Sequence, residues 1–176
     1  MNLWVIQKNI KWGKPMESIN KILDDLDIQI LDILQKEEQI SNSEIAKRIN
    51  LSSPATHARI KRLENEGYIT TRIAILNQEM LGFDLLTFIF ISTNIHQDEK
   101  LEVLENSLAS MPEILECHCL TGKYDYLLKV VNKNRKELES FIRKLNRLGI
   151  TQILTSLSLR NIKNSTTLPI REDTNL

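Results

Sequence analysis

The segment 40–69, ISNSEIAKRINLSSPATHARIKRLENEGYI, constrains the fold of this chain more than any other stretch. Ser41, followed three residues later by Glu44, is the pattern of a capping box, in which each side chain bonds the other residue's backbone N–H at a helix start. A second helix follows after a turn of only three residues and is capped by Ser52 or Ser53. Two short helices joined by a tight turn predict a helix-turn-helix.

Positive charge is concentrated in the same helix pair. Between positions 45 and 63 the chain has five basic residues and no acidic one: Lys47, Arg48, Arg59, Lys61 and Arg62. The whole chain is balanced, with 23 Lys and Arg against 23 Asp and Glu, so this excess is local. A locally positive surface can follow a phosphate backbone, which predicts DNA binding. The alternative is a solvated face on an ordinary three-helix domain.

An acidic helix precedes the pair. Apolar residues recur at helical spacing over residues 24–36, and aspartates gather at the start, where the helix dipole favours negative charge. This helix should face away from DNA and complete a three-helix domain. The β-rich segment 68–74 predicts a short wing strand. We therefore predict a winged helix-turn-helix domain over residues 21–70, with wing and hinge over 71–84.

The second half of the chain alternates between strand and helix patterns. The predicted elements are strand 85–95, helix 97–110, strand 114–121, strand 124–131, helix 134–148 and strand 153–162. The order β-α-β-β-α-β is that of the ferredoxin-like plait, and the fold class is α+β. Both helices then cover one face of the sheet. The other face, with Phe88 and Phe90, needs a partner, and a second copy of the chain is the expected one.

Composition restricts the compartment in which the chain works. Two cysteines are too few to stabilise a fold of 176 residues through disulfides. The longest apolar run is too short to cross a bilayer. We expect a soluble cytoplasmic protein associated with the nucleoid. The plait domain is assigned to residues 85–170 and a tail to 171–176. The leader 1–20 stays open between a basic aromatic arm along nucleic acid, an upstream start codon ahead of Met16, and a disordered leader.

The chain from about residue 20 to residue 170 resembles the Lrp/AsnC (feast/famine) family of transcriptional regulators. The matching segments are LDDLDIQIL (23–31), ISNSEIAKRINLS (40–52), RIKRLENEGYI (59–69), MPEILECHCLTGKYDYLLKV (111–130) and TSLSLRNIKNSTTLPI (155–170). The resemblance implies an N-terminal DNA reader, a hinge, and an amino-acid-sensing plait domain that assembles as dimers and higher rings such as an octamer. The leader has no family counterpart, and SPATHA (53–58) is this chain's own.

Helical spacing separates the exposed side of the recognition helix from its core side. The core stripe is Thr56, Ile60 and Leu63. The residues predicted to reach base edges near the helix start are Ser53, His57 and Ala58. Those predicted to contact phosphates are Arg59, Lys61 and Arg62, although Arg59 could instead brace the fold.

A glycine turn followed by a carboxylate is the second candidate binding site. Backbone N–H groups around Gly122 and Lys123 can bind a carboxylate, while Asp125 can bind an ammonium group. On the residues alone, a hairpin turn with an exposed aspartate is the alternative. The family resemblance implies an effector site at this loop, where two dimers meet, and the last strand could add two hydroxyls. The expected site residues are Thr121, Gly122, Lys123, Asp125, Thr155 and Ser156.

Cys117-His118-Cys119 is a cluster with metal-ligating residue types. In a strand the two cysteines share one face while His118 points to the other, so one chain cannot bring all three to one ion. We predict that the cysteines are small buried hydrophobic residues, and zinc shared across a subunit interface is the alternative. No phosphate-binding glycine loop or catalytic serine motif is present, so we expect neither an enzyme nor a cofactor.

Two functions fit these features. The first is a sequence-specific transcriptional regulator whose assembly and DNA binding respond to an amino acid or a related small metabolite. The second is a nucleoid-organising protein that wraps DNA with little sequence preference and has no physiological ligand. An enzyme with a regulatory plait domain is disfavoured, because residues 1–84 supply no catalytic group.

Overall fold

The computed structural model describes residues 23–37 and 39–170. The predictions for the leader 1–20 and the tail 171–176 lie outside the described residues. The described chain separates into two units. The helical unit contains residues up to 75 together with 163–170, and the plait unit contains residues 76–162.

Three helices form the helical unit. They are α1 (Asp25–Lys36), α2 (Asn42–Arg48) and α3 (Ser53–Asn65). Their apolar stripes meet in one small core, formed by Ile30, Ile45, Ile49, Ile60 and Leu63. Neither α2 nor α3 buries its apolar stripe alone, and α1 supplies part of the apolar surface that they need in order to fold. The predicted helix-turn-helix on a three-helix domain is confirmed.

The helix starts follow the predicted caps with one correction. The Ser41 hydroxyl accepts a hydrogen bond from the Glu44 N–H at 3.2 Å, and Ser52 caps α3. The return bond of the predicted capping box is not formed, because the Glu44 carboxylate lies 3.6 Å from Nε of Arg48 instead. A complete capping box is found at α1, between Asp24 and Asp27, a pair that sequence reasoning read only as helix-dipole charge.

The segment after α3 carries no regular strand in the single chain. The wing strand predicted over residues 68–74 is not formed, and residues 70–77 are exposed and lie outside the four-stranded sheet. Ile73 and Ile75 are among the exposed apolar side chains here. A short 3-10 turn, Glu79–Leu81, follows.

The C-terminal part of the described chain returns to the helical unit. Gln35 of α1 donates from Nε2 to the Leu168 carbonyl and accepts the Leu168 N–H on Oε1, both at 2.9 Å. The side-chain amide thus replaces a neighbouring strand as backbone partner. Residues 163–170, which we assigned to the plait domain, group with the helical unit for this reason.

The plait unit has the predicted β-α-β-β-α-β order. Its elements are β1 (Leu85–Thr93), α4 (Asp98–Ala109), β2 (Ile114–Cys119), β3 (Tyr126–Asn132), α5 (Arg135–Asn146) and β4 (Ile150–Leu157). The strands form one antiparallel sheet in the order β2-β3-β1-β4. The predicted bounds of the last strand were 153–162; β4 begins three residues before the first of these and ends five residues before the last. The ferredoxin-like fold is confirmed.

The two faces of the sheet differ in what covers them. On one face, β1 and β3 side chains pack with both helices into the core, formed by Ile89, Ile91, Leu128, Val130, Leu104, Leu108, Phe141 and Leu145. The other face, called the open face below, carries Phe88 and Phe90 on β1 and their cross-strand neighbours. Leu154, which is paired with Phe90, is 46% exposed. In the single chain this apolar surface has only partial cover.

Candidate DNA-binding and effector-binding sites

One side of α3 is open to a ligand. Four of the six residues predicted to contact DNA are exposed: Ser53, His57, Ala58 and Lys61. The predicted core stripe is buried, namely Thr56, Ile60 and Leu63. A cavity of about 330 Å³ adjoins the open side and is lined by Asn42, His57, Ile60, Lys61, Glu64 and Arg72. Positions 53, 57 and 61 share one side of the helix because they are four residues apart.

The start of α3 is held by α2. Nδ2 of Asn42 lies 3.1 Å from Nδ1 of His57. An amide nitrogen can only donate, so this contact is a hydrogen bond for the His57 tautomer that accepts at Nδ1 and donates from Nε2. The hydroxyls of Ser43 and Ser53 are 3.4 Å apart. That tautomer of His57 keeps one N–H donor, which matches acceptors such as purine N7 in the major groove.

Arg59 and Arg62 are paired inside the helical unit. Nη1 of Arg59 donates to Asp24 Oδ2 at 2.6 Å and to Asp27 Oδ1 at 2.8 Å. Nη2 of Arg62 donates to Asp27 Oδ2 at 2.5 Å. The contact of both arginines with phosphates stays a prediction, and in this fold both are paired with the buried Asp27 carboxylate, which requires cations. Arg59 takes the bracing role left open by the sequence, and Arg62 shares it.

The remaining cations of the helix pair also differ in their pairing. Arg48 forms a bidentate ion pair with Glu37, and Nζ of Lys47 lies 3.9 Å from Oε2 of Glu44. Within the described ranges, Lys61 has no carboxylate oxygen within 4 Å. The local positive charge seen in the sequence is therefore largely matched by carboxylates in the fold, and Lys61 is the best-placed cation for a phosphate.

Two substitutions should separate base reading from phosphate binding. We expect His57→Ala to change the preferred base at about one position, with an effect of about 1–3 kcal/mol on discrimination. Lys61→Ala should weaken binding to all duplexes alike and reduce the slope of log affinity against log salt by about one unit. Fluorescence anisotropy over a salt series measures both, with Lys100→Ala of α4 as the charge-matched control. Identical sequence preference for His57→Ala and the wild type would contradict the assignment.

Ion pairs shift the pKa values of charged groups in the helical unit. The Arg59 guanidinium, aided by the Asp27 N–H, lowers the pKa of Asp24. Asp24 and then Asp27 raise the pKa of Arg59 in return. Arg48 lowers the pKa of Glu37 by its hydrogen bonds, and Glu37 raises the pKa of Arg48. All four groups are charged at neutral pH.

Acid should therefore destabilise the helical unit. A carboxyl whose pKa is lowered on folding stabilises the fold above its unfolded pKa, about 3.9 for Asp, and loses this contribution as pH falls through the folded value. We expect the free energy of unfolding to be flat above about pH 5 and to fall below it. Denaturant unfolding followed by circular dichroism tests this. Asp24→Asn, which keeps a helix cap, should show a shallower fall, and a profile parallel to the wild type would contradict the role of Asp24.

The β2–β3 connection forms a compact loop. The Leu120 N–H donates to the Asp125 carbonyl at 2.8 Å, and the Asp125 N–H donates to the Ile91 carbonyl at 2.9 Å. Gly122 has a φ of +126°, a backbone conformation that residues other than glycine rarely adopt. Within the described part of the chain, the N–H groups of Gly122 and Lys123 form no hydrogen bond. They are exposed donors at the tip of the loop.

Asp125 supports the loop from within. Its Oδ2 accepts the Thr93 N–H at 2.7 Å at the end of β1, and the residue is partly buried. The carboxylate retains acceptor capacity, since each oxygen has two lone-pair sites. Lys123 places its ammonium group 5.2 Å from the Tyr124 ring centre, a cation–π contact. One carboxylate and two open N–H groups are thus presented by the same loop.

The hydroxyls of the last strand lie away from this loop in the single chain. Thr155 is paired with Ile89 and Ser156 with Phe88, on the far side of β1 from β3. Strand spacing puts them about 12–14 Å from the loop, and alternation turns them to opposite faces. The prediction that Thr155 and Ser156 join Asp125 in one site is therefore not met within one chain.

The two cysteines are exposed rather than buried. Register pairs Cys117 with Leu128 and Cys119 with Tyr126 on the helix-covered face, while His118 is paired with Leu127 on the open face. The prediction of buried cysteines is wrong for the single chain, because β2 is an edge strand. Desolvation is still the largest cause that raises the pKa of both thiols. Across residues 23–37 and 39–170, no group of three or more His, Cys, Asp or Glu could hold a metal ion.

The Tyr126 hydroxyl beside these thiols is also held in the fold. It donates to the Glu105 carboxylate at 2.8 Å, and burial followed by this hydrogen bond raises the pKa of Tyr126. In the described helices, none is long and apolar enough to cross a bilayer. Tyr126 itself belongs to the buried core of the plait unit.

A helix-turn-helix joined to a ferredoxin-like plait defines a class of two-domain DNA-binding regulators. The family model "Winged helix-turn-helix DNA-binding" matches residues 23–70, and "Lrp/AsnC ligand binding domain" matches residues 86–168. The chain belongs to the Lrp/AsnC family of transcriptional regulators. Members of this family are DNA-binding regulators and not enzymes.

Named relatives cover nearly the whole of the described chain. HTH-type transcriptional regulator FL11 of Pyrococcus furiosus is 36% identical over 151 residues, which is 85% of this chain and 98% of the relative. The leucine-responsive regulatory protein of Escherichia coli is 35% identical over 155 residues, 86% of this chain and 93% of the relative. A transcriptional regulator of Neisseria meningitidis, solved as a complex with L-Met, has a TM-score of 0.79 at 32% identity, covering 84% of this chain and 97% of that one.

Proposed function

We propose that this chain regulates transcription by reading DNA with the exposed side of α3, under the control of an amino acid bound at the β2–β3 loop. The observation that carries the proposal is the loop itself, which presents two open N–H groups beside a negative carboxylate. An α-amino acid carries the matching pair of charged groups, an ammonium and a carboxylate, on one carbon atom. The helix-turn-helix and plait are the parts that such a regulator requires.

The DNA-reading part of the proposal rests on four side chains of α3. Ser53, His57 and Ala58 would meet base edges, and Lys61 would meet a phosphate. Hydroxyl, imidazole N–H and methyl groups cover three kinds of base-edge contact, including apolar contact with the thymine methyl. Arg59 and Arg62 are left out of this set, because carboxylates of α1 already hold them.

The effector part of the proposal uses charge complementarity at the loop. The N–H groups of Gly122 and Lys123 would bind the ligand carboxylate, and Asp125 would bind the ammonium while keeping its bond to Thr93. Thr121 precedes these donors in the loop. The amino acids named for a relative and a structural neighbour, leucine and L-Met, support this ligand class.

Assembly completes the proposal. The open face would be buried between two copies of the plait unit, and two such dimers would meet at the effector loops, in a ring as large as an octamer. Thr155 and Ser156 can reach a ligand only from another copy, since they lie away from the loop of their own chain. A site completed by a second dimer gives the ligand different affinities for the separate and assembled states, which is the condition for a regulatory effect.

Thermal shift and DNA footprinting together test the proposed function. We expect at least one of the twenty amino acids to raise the melting temperature, since a ligand that binds only the folded state stabilises it. The same amino acid should alter the footprint on a promoter recovered by selection with the purified protein. Protection of all DNA alike, unchanged by any amino acid, would replace this proposal with the nucleoid-organising function.

A further inference from the structure

We propose that Asp27 is a positioning residue that sets the orientation of α3 on DNA and keeps Arg59 and Arg62 away from phosphates. The proposal rests on α3 as the DNA-reading helix. Asp27 lies in the first turn of α1 and is only 1% exposed. Aspartate is almost never buried to this degree unless it is paired.

The Asp27 carboxylate is shared by three donors. Oδ1 accepts Nη1 of Arg59 at 2.8 Å, and Oδ2 accepts Nη2 of Arg62 at 2.5 Å and the Asp24 N–H at 3.2 Å. Asp24 takes a further bond from Arg59 at 2.6 Å. Two arginines of one helix therefore converge on the N-terminal turn of another, through residues 32 and 35 positions apart in the chain.

The hydrogen bonds to Asp27 restrict the orientation of α3 in a way that the apolar core does not. Apolar contacts in the core, such as those of Ile60 and Leu63, are non-directional. Charge-assisted bonds are short and angle-dependent. Because Arg59 and Arg62 are three residues apart, they hold α3 at two points about one turn from each other. Their joint attachment to Asp27 restricts rotation and sliding together.

Arg59 and Arg62 point away from Ser53, His57 and Lys61, whereas Ala58 lies between the two groups. At about 100° per residue, Arg59 and Arg62 lie roughly 140–200° around the helix from His57. A rotation of α3 about its axis that loosened the hydrogen bonds to Asp27 would therefore move all the side chains on its exposed side together. The same geometry keeps two guanidinium groups paired with carboxylates, so their charge does not contribute fully to non-specific attraction for DNA.

The decisive variant is Asp27→Asn, which keeps the shape of the side chain and removes its charge. We expect the ratio of specific to non-specific affinity to fall by about tenfold, the size of a lost base-edge contact. We expect the salt slope on non-specific DNA to become steeper by about one unit, because the released arginines add a phosphate contact. A residue that only supports folding would lower both affinities together and leave the slope unchanged.

A matched control is available on the same helix. Asp32 of α1 is also nearly buried, at 8% exposed, and its ion pair runs to Lys36 of its own helix at 2.9 Å. Asp32→Asn removes the same charge from α1 without releasing an α3 arginine. It should leave both the affinity ratio and the salt slope at their wild-type values. Equal changes in the two variants would overturn the proposal.

A milder variant covers the case in which Asp27→Asn does not fold. Asp24→Asn keeps a good helix cap and releases one bond of Arg59, so it should change the ratio and slope in the same directions by a smaller amount. Unchanged values in a folded variant would overturn the proposal. Wild-type protein that prefers no sequence would instead refute sequence-specific reading, while the slope of Asp27→Asn would still decide the role of Asp27.

Discussion

Asp125→Asn should abolish the response of the chain to the proposed amino-acid effector while leaving ligand-free DNA binding near normal. Asparagine keeps a side-chain oxygen for the Thr93 N–H, which Asp125 now holds at 2.7 Å. It removes the negative charge that the ligand ammonium requires. A charge-assisted bond is worth about 1.5–3 kcal/mol, so the affinity for the effector should fall by roughly 10- to 150-fold.

Asparagine is a sharper test of this site than alanine. Asp125→Ala would also leave the Thr93 N–H without its partner and cost stability of about 1–3 kcal/mol, which confounds loss of ligand with loss of folding. Asp84→Asn, an exposed aspartate before β1, removes the same charge from the same unit and should respond like the wild type. Isothermal titration gives the affinity, and footprinting with and without ligand gives the response. A response of Asp125→Asn at the wild-type ligand concentration would place the sensor elsewhere.

The helix-turn-helix could be predicted because its signals are local. Caps, turn length and the stripe of Thr56, Ile60 and Leu63 all lie within thirty residues, and each one indicates the same structure. The plait followed from alternating periodicity in the same way. Its strand ends were less certain, and β4 is displaced toward the N-terminus because α5 and Gly149 lead into it directly.

The partners of the arginines could not be predicted from local pattern. Arg59 and Arg62 look like phosphate ligands in a window that contains no acid, but their carboxylates come from α1, more than thirty residues earlier. The available signal was the spacing of Asp24 and Asp27, three apart, against two arginines three apart on a helix that must pack beside them. Such pairs become visible only when the helices are docked.

Other errors trace to surfaces that a single chain leaves open. Cys117 and Cys119 were expected to be buried, and they are exposed because β2 is an edge strand. Thr155 and Ser156 were grouped with Asp125, although the register of β4 separates them from that loop. Periodicity assigns a residue to a face of its strand, but what covers that face depends on other elements or other copies.

Phe88→Lys should convert the proposed dimer into a monomer. Phe88 lies on β1 in the open face, with Lys129 and Ser156 as its cross-strand neighbours. In a two-fold interface each substitution occurs twice. Burial of one Phe side chain is worth about 1.5–3 kcal/mol, so the loss per dimer is about 3–6 kcal/mol before the cost of burying lysine. The dissociation constant of the dimer should rise by roughly 10²- to 10⁴-fold.

Loss of the dimer should also weaken DNA binding. Two recognition helices related by a two-fold read half-sites about one helical turn or a multiple apart, so a monomer would retain affinity for a half-site only. Val103→Lys is the matched control, because Val103 is 66% exposed on α4, on the helix side of the sheet, and should leave the dimer intact. Sedimentation velocity at micromolar concentration measures the state of all three proteins. A monomeric wild type, or a folded Phe88→Lys variant that remains dimeric, would show that the open face is not the dimer interface.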